Sequence, residues 1–121
     1  MAKSAIAQNI ENKTIFLNSS SNENLSLHER YTYEARFILK PNQVELIQKY
    51  GNDIFKIESR TGTWSDISAR GSITYKVNFD GVAGVVVFGR DAEGLFLTID
   101  LSTTTAEGIN QKFFISSFTI Q

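Results

Sequence analysis

Histidine and carboxylate side chains are the groups in this sequence with the chemistry for acid–base work. His28 is the single histidine, with Arg30 and Glu34 close behind it. A histidine beside ionisable neighbours can exchange protons near neutral pH or bind a metal. A lone histidine on the wet face of a strand is more often structural. Without cysteine or a second histidine, the chain has almost nothing from which to build a nucleophilic triad or a zinc site.

Paired carboxylates are the remaining catalytic option, because two acids that flank a glycosidic bond are enough for its hydrolysis. Asp66 with Asp80 or Asp100 is a candidate pair, but no spacing singles out one combination. The glycine-bounded loop 89–94 carries two acids, which are too few for a dedicated calcium site. We therefore predict a non-enzymatic protein with no cofactor and no metal.

Aromatic and basic side chains offer binding chemistry instead. Trp64, with Tyr50 and Tyr75, is a candidate patch for a sugar ring or a lipid headgroup. Arg60 and Arg70 are candidates for pairing with a headgroup phosphate. Core packing is the ordinary explanation for such rings. For Trp64 the two explanations have equal weight, because the polar loop around it marks a place where a large ring can stay exposed.

Composition limits the class of protein. The chain has 121 residues with 12 Lys and Arg against 13 Asp and Glu, so it has no excess positive charge for nucleic acid. No apolar run approaches the roughly 20 residues that span a bilayer, and no apolar segment typical of a signal peptide follows Met1. With cysteine absent, we expect a cytoplasmic protein, or one exported without a recognisable leader. Its length fits a single domain over 1–121.

Three consecutive strands form the centre of the predicted fold. The segments GSITYKV, VAGVVVF and LFLTIDL lie between Gly71 and Leu101 and are separated by turn-forming residues. Apolar and polar residues alternate in the first and third segments, as in a sheet with one buried face. The pattern predicts an antiparallel meander.

The rest of the chain adds shorter elements. Residues 25–40 alternate with period two and predict one strand, or two strands broken near Glu29. A strand is also predicted over 13–18 and a polar loop over 18–24, whereas 5–10 is left undecided. Residues 41–50 predict a short helix with apolar residues at helical spacing, although the alternation of Val44 and Leu46 also suits a strand.

The C-terminal third completes the expected architecture. Residues 102–111 predict a polar connection, and 112–120 a closing strand rich in phenylalanine. With about eight short strands and turns at regular spacing, the chain is typical of a β-sandwich or small barrel. We predict an all-β, single-domain antiparallel β-sandwich, with the one helix near 42–50.

Two family resemblances fall on residues 58–101. Glu58-Ser59 followed by Gly71-Ser72-Ile73-Thr74-Tyr75 resembles the aegerolysin pattern, and the run from Gly81 to Phe88 with Gly94-Leu95-Phe96-Leu97 resembles the actinoporin hairpin. The resemblances imply a β-sandwich that recognises lipid headgroups or glycans on membranes and takes part in pore formation. Insecticidal aegerolysins also work with a larger partner protein. Residues 102–108 lack the aromatic choline pocket of actinoporins, so only the general class is carried over.

The leading expectation is a binding protein for lipid headgroups or glycans at a membrane surface, as one component of a cytolytic or insecticidal system. Its expected partners are a membrane lipid or glycan and a larger protein, with oligomers open and nucleic acid excluded. Two alternatives remain. One is a protein-interaction module, such as an inhibitor or immunity protein, that uses the wet face of the long strand: His28, Arg30, Glu34 and Arg36. The other is a carrier of a small apolar ligand inside a lumen lined by phenylalanine.

Overall fold

The computed structural model describes residues 12–101 and 109–121, and these fold into eight strands. In chain order the strands are β1 (Ile15–Asn24), β2 (Glu29–Leu39), β3 (Gln43–Gln48), β4 (Gly51–Thr61), β5 (Gly71–Phe79), β6 (Val82–Asp91), β7 (Gly94–Leu101) and β8 (Ile109–Ile120). The undecided lead-in at 5–10, and most of the predicted connection at 102–111, lie outside the described residues.

The strands form a closed antiparallel barrel, so the predicted β-sandwich is wrong. Each strand pairs with the next one, and β8 returns to pair with β1. That last pairing runs from Ile15 opposite Ile120 to Asn24 opposite Gln111. A sandwich would leave the first and last strands as sheet edges, whereas here each satisfies the backbone groups of the other.

Closure depends on a segment that was predicted to be a loop. Residues 18–24 continue β1 and pair with β2 on one side and β8 on the other. The side chains of Ser19 and Asn22 are both buried. Because the buried positions here are polar, hydrophobic alternation gave no strand signal, and backbone pairing on both sides holds the segment instead.

The meander and the long strand are confirmed. Residues 71–79, 82–91 and 94–101 are consecutive paired strands, and 29–39 is one strand that begins at the predicted break. On β2 the odd-numbered Ala35, Phe37 and Leu39 are buried, as the alternation requires. The sequence pattern therefore locates these four strands correctly.

The predicted helix is wrong, and its strand alternative is right. Within the described residues no helix occurs, and so none has the length and hydropathy to cross a membrane. Residues 43–48 form β3, in which Val44 lies opposite Phe55 and Leu46 opposite Phe37. All four side chains are buried. Period-two burial against two neighbouring strands outweighs the helical spacing of three apolar residues.

Aromatic and aliphatic side chains fill the middle of the barrel. The rings of Phe37 and Phe113 meet edge to face with centroids 4.9 Å apart, and Phe55 stacks on Phe79 at 4.8 Å. An eight-stranded barrel has an interior just wide enough for side chains or one small ligand. Here the phenylalanines that the carrier hypothesis places around a lumen contact one another.

The two ends of the barrel differ. At one end, the loop over residues 62–70 folds inward and buries Trp64 and Ile67. The Ile67 carbonyl accepts a 2.9 Å hydrogen bond from Arg90 Nε, which ties the loop to β6. We call this the capped end. The opposite end is where β1 ends, β2 begins and β3 ends, and we call it the mouth.

Candidate functional site

The predicted aromatic patch is divided between the two ends of the barrel. Trp64 lies at the capped end, while Tyr50 lies in the turn between β3 and β4 at the mouth. Arg60 lies near the end of β4, and Arg70 immediately precedes β5, so both arginines are toward the capped end. The structure therefore groups Trp64, Arg60 and Arg70 loosely and places Tyr50 apart from them.

Burial further separates these residues. Trp64 is 7% exposed and Tyr75 is 5% exposed, so both rings belong to the core. The indole of Trp64 meets Phe88 edge to face at 5.2 Å, and its Nε1 donates a 2.7 Å hydrogen bond to the Ala69 carbonyl. The core interpretation of Trp64 is confirmed. Ligand binding by the set as a whole stays a prediction.

Tyr75 and Arg60 lie opposite each other in the pairing of β4 and β5. Burial raises the pKa of Tyr75, and the positive charge of Arg60 offsets part of that effect. The phenol therefore stays protonated at neutral pH. Tyr50 is 87% exposed, with Lys49 Nζ 5.8 Å from its ring centroid.

Polar side chains gather at the mouth, where sequence reasoning proposed no site. A cleft of about 380 Å³ opens there. It is lined by Asn22, Tyr31, Thr32, Tyr33, Gln48 and Gln111. None of these side chains carries a charge at neutral pH, and together they present amide groups, hydroxyl groups and two aromatic rings.

Strand geometry explains why these groups meet. Asn22 lies opposite Tyr31 across β1 and β2, and opposite Phe113 across β1 and β8. Phe113 is buried in the core, so its partner Asn22 faces inward, as does Gln111 two residues before Phe113. The inward rows of β1, β3 and β8 thus carry a polar residue near the mouth, whereas those of β5 and β7 stay apolar.

One hydrogen bond orders the cleft. The Tyr33 hydroxyl donates to Gln48 Oε1 at 2.6 Å and joins β2 to the end of β3 by their side chains. The Gln48 amide nitrogen keeps its two donors. Partial desolvation, followed by the charge and hydrogen bond of Glu29, raises the pKa of Tyr31, whose protonated hydroxyl donates to the Glu29 carboxylate.

The structure separates the acid–base candidates within the described part of the chain. His28 is exposed in the turn between β1 and β2, with a φ of 56°. Asp66 accepts hydrogen bonds from Ser68 at the capped end, whereas Asp80 lies in the turn between β5 and β6 at the mouth. No cluster of three or more potential metal ligands occurs among residues 12–101 and 109–121.

One signal in the sequence could have located the mouth. Gln48 and Gln111 occupy positions that alternation assigns to the inside of the sheet, and a polar residue there marks either a strand end or a binding site. Asn22 gives no such signal, because it lies within a run of Ser and Asn.

Comparison with known proteins adds no assignment. No family model, curated protein or solved structure matches this chain. The resemblance to aegerolysins and actinoporins therefore stays a prediction.

Proposed function

We propose that this chain is a non-enzymatic glycan-binding protein that takes a terminal sugar into the mouth of the barrel. The observation that supports this proposal is the uncharged lining of the 380 Å³ cleft. Amide and hydroxyl groups match the hydroxyls of a sugar, since each can donate and accept. A phospholipid headgroup would require a cation close to its phosphate, so the lining favours a neutral ligand.

The aromatic rings support the same class of ligand. Tyr31 is 45% exposed at the edge of the cleft, where its ring is accessible to the apolar face of a sugar. Tyr33 lies deeper, with its hydroxyl fixed by Gln48. Barrel mouths are common ligand sites, and this cleft is near the lower end of their usual range of about 300–1,000 Å³. Its size therefore suits one or two sugar units.

A glycan array followed by calorimetry with the best glycan tests the proposal. Tyr31→Ala should weaken binding about tenfold through loss of ring stacking. Gln111→Leu should also weaken binding, since it removes the amide while preserving approximate volume. Tyr50→Ala is the matched control, because Tyr50 is exposed near the mouth but does not line the cleft.

Vesicles separate the glycan from a lipid headgroup. The protein should sediment with vesicles that display the glycan on a lipid, and not with plain phosphatidylcholine vesicles. Absence of binding to any glycan on the array would refute the proposal. Equal binding to both kinds of vesicle would instead favour the lipid headgroup.

A further inference from the structure

Some strands of the closed barrel extend beyond one of their neighbours, and the first half of β2 is such a stretch of unpaired edge. β2 pairs with β1 from Glu29 to Leu39, with a β-bulge at Tyr33 and Glu34, which have no register partner on β1. On its other side, β3 pairs only with Arg36–Leu39. Within the described ranges no strand pairs with residues 29–35 on this side, and we call this stretch the β2 edge. An exposed edge of unpaired N–H and C=O groups is a template for another strand.

The sequence of the β2 edge is complementary to itself. If two copies meet antiparallel with Thr32 opposite Thr32, then Tyr31 lies opposite Tyr33 and Arg30 lies opposite Glu34. Opposite charges, aromatic pairs and threonine pairs are the cross-strand combinations that stabilise antiparallel sheets. Each of the unlike pairs occurs twice, because the arrangement has a two-fold axis.

Neighbouring registers lack this match. A pairing centred on Tyr33 places Arg30 opposite Arg36, which repels. A pairing centred on Tyr31 places Arg30 opposite Thr32, and it sets Glu34 against His28, which lies in the turn before the strand begins. The charges therefore select the register centred on Thr32.

The side chains required for this pairing are accessible. Thr32 and Glu34 are exposed, and the side chain of Arg30 is 52% exposed. Arg30 Nη2 donates a 3.4 Å hydrogen bond to Glu93 and lies 3.6 Å from Glu23, with the guanidinium carbon 3.9 Å from the ring centroid of Phe114. These are surface contacts of small net energy, so the guanidinium can exchange them for Glu34 of a second copy. A groove of about 820 Å³ also runs beside the edge, along Thr32, Glu34 and Arg36.

We propose that two copies of this chain associate through their β2 edges, antiparallel about Thr32, to form a continuous sheet across the two barrels. This inference goes beyond glycan binding and does not depend on it. Because Tyr31, Thr32 and Tyr33 take part in the pairing and also line the cleft, a bound glycan should favour the monomer. A single pair of strands is at the small end of protein interfaces, so we expect a weak dimer with a dissociation constant on the order of micromolar or higher.

A charge exchange tests the proposal. Sedimentation equilibrium of the wild-type chain should show a monomer–dimer equilibrium. Arg30→Glu places the new carboxylate opposite Glu34 of the second copy, so two carboxylates repel at both ends of the pairing. Glu34→Arg places two guanidinium groups opposite each other in the same way. Each variant alone should therefore be monomeric. An equimolar mixture of the two variants should form a heterodimer, and the chain carrying both changes should form a homodimer.

Recovery by mixing distinguishes a lost interface from a damaged fold, because mixing cannot repair misfolded chains. Thermal melts of each variant provide an independent check, and Lys76→Glu changes an exposed charge on β5, away from the β2 edge, as the control. A wild-type chain that stays monomeric into the millimolar range would overturn the proposal. So would single variants that dimerise like the wild type, or a mixture that remains monomeric.

Discussion

Trp64 lies against Gly71 at the capped end, so closely that a Cβ on residue 71 would overlap the indole ring. Gly71 also has a φ of +153°, a backbone conformation that side chains other than glycine rarely adopt. Gly71→Ala should therefore lower the free energy of unfolding by about 2–3 kcal/mol, through overpacking and backbone strain together. Urea denaturation followed by circular dichroism measures the loss.

Gly51→Ala is the matched control. Gly51 has a similar φ of +144°, but nothing lies within 4 Å of the position its Cβ would occupy. This variant should lower the free energy of unfolding by only about 1 kcal/mol, which is the cost of the backbone strain alone. Equal losses in the two variants would show that contact with Trp64 is unimportant.

The fluorescence of Trp64 should be that of a buried indole. The chain has one tryptophan, which is 7% exposed and donates its Nε1 hydrogen to the Ala69 carbonyl. We expect an emission maximum shifted to the blue and weak quenching by acrylamide. Addition of glycan or vesicles should leave both unchanged, because the mouth is at the other end of the barrel. Quenching close to that of free tryptophan would contradict this arrangement.

The strands with regular apolar alternation were predictable from the sequence, whereas the closure of the barrel was not. β2 and the meander β5 to β7 each carry a row of large apolar residues at period two, and that row fixes both the strand and its inward face. Closure instead depends on the pairing of Ile15 with Ile120, which lies near the other end of the chain. A pairing at that separation leaves no local pattern, so sandwich and barrel look alike in sequence.

The candidate site was harder to predict for a related reason. The polar neighbours of Trp64 indicated an exposed loop, but Ile67 and the hydrogen bond from Arg90 draw that loop over the barrel end. Tyr33 and Gln48 are separated by 15 residues, and their contact follows from where β3 ends beside β2. Local composition carries no information on either arrangement.

Adjacent phenylalanines on β8 provide a direct test of the barrel interior. Phe113 is 2% exposed and contacts Phe37, whereas Phe114 is only partly buried and lies under Arg30, whose Cζ is 3.9 Å from the ring centroid. Phe113→Ala should cost about 3–5 kcal/mol of stability, because it opens a cavity in the core. Phe114→Ala should cost about 1 kcal/mol, mainly the contact with Arg30.

Denaturant titrations of the two variants measure how much more stability is lost on the inward face of β8 than on its outward face. The variants remove the same side chain from neighbouring positions, so each serves as the control for the other. Equal costs would mean that Phe113 does not face a filled interior, and would revive the carrier hypothesis.

The ion pair between Asp91 and Lys112 should contribute stability that depends on pH. Lys112 Nζ donates a 2.9 Å hydrogen bond to Asp91 Oδ2, and the Glu93 backbone N–H donates to Oδ1 at 2.9 Å. The hydrogen bond from Lys112 is the largest influence that lowers the pKa of Asp91 below its ordinary value of 3.8. A carboxylate whose pKa is lower in the folded state stabilises the fold above its unfolded pKa, and the stabilisation disappears as pH falls through the folded pKa.

Asp91→Asn should therefore lower the free energy of unfolding at neutral pH and have no effect in strong acid. Since the Asp91 side chain is 40% exposed, the difference at neutral pH should be below about 1 kcal/mol and should shrink in high salt. Denaturant titrations of both proteins from about pH 7 to pH 2 measure it.

Lys112→Met should remove most of the same pH-dependent difference, because it eliminates the main cause of the lowered pKa. If the difference in the free energy of unfolding between wild type and Asp91→Asn stays constant across this pH range, the carboxylate charge contributes nothing to stability.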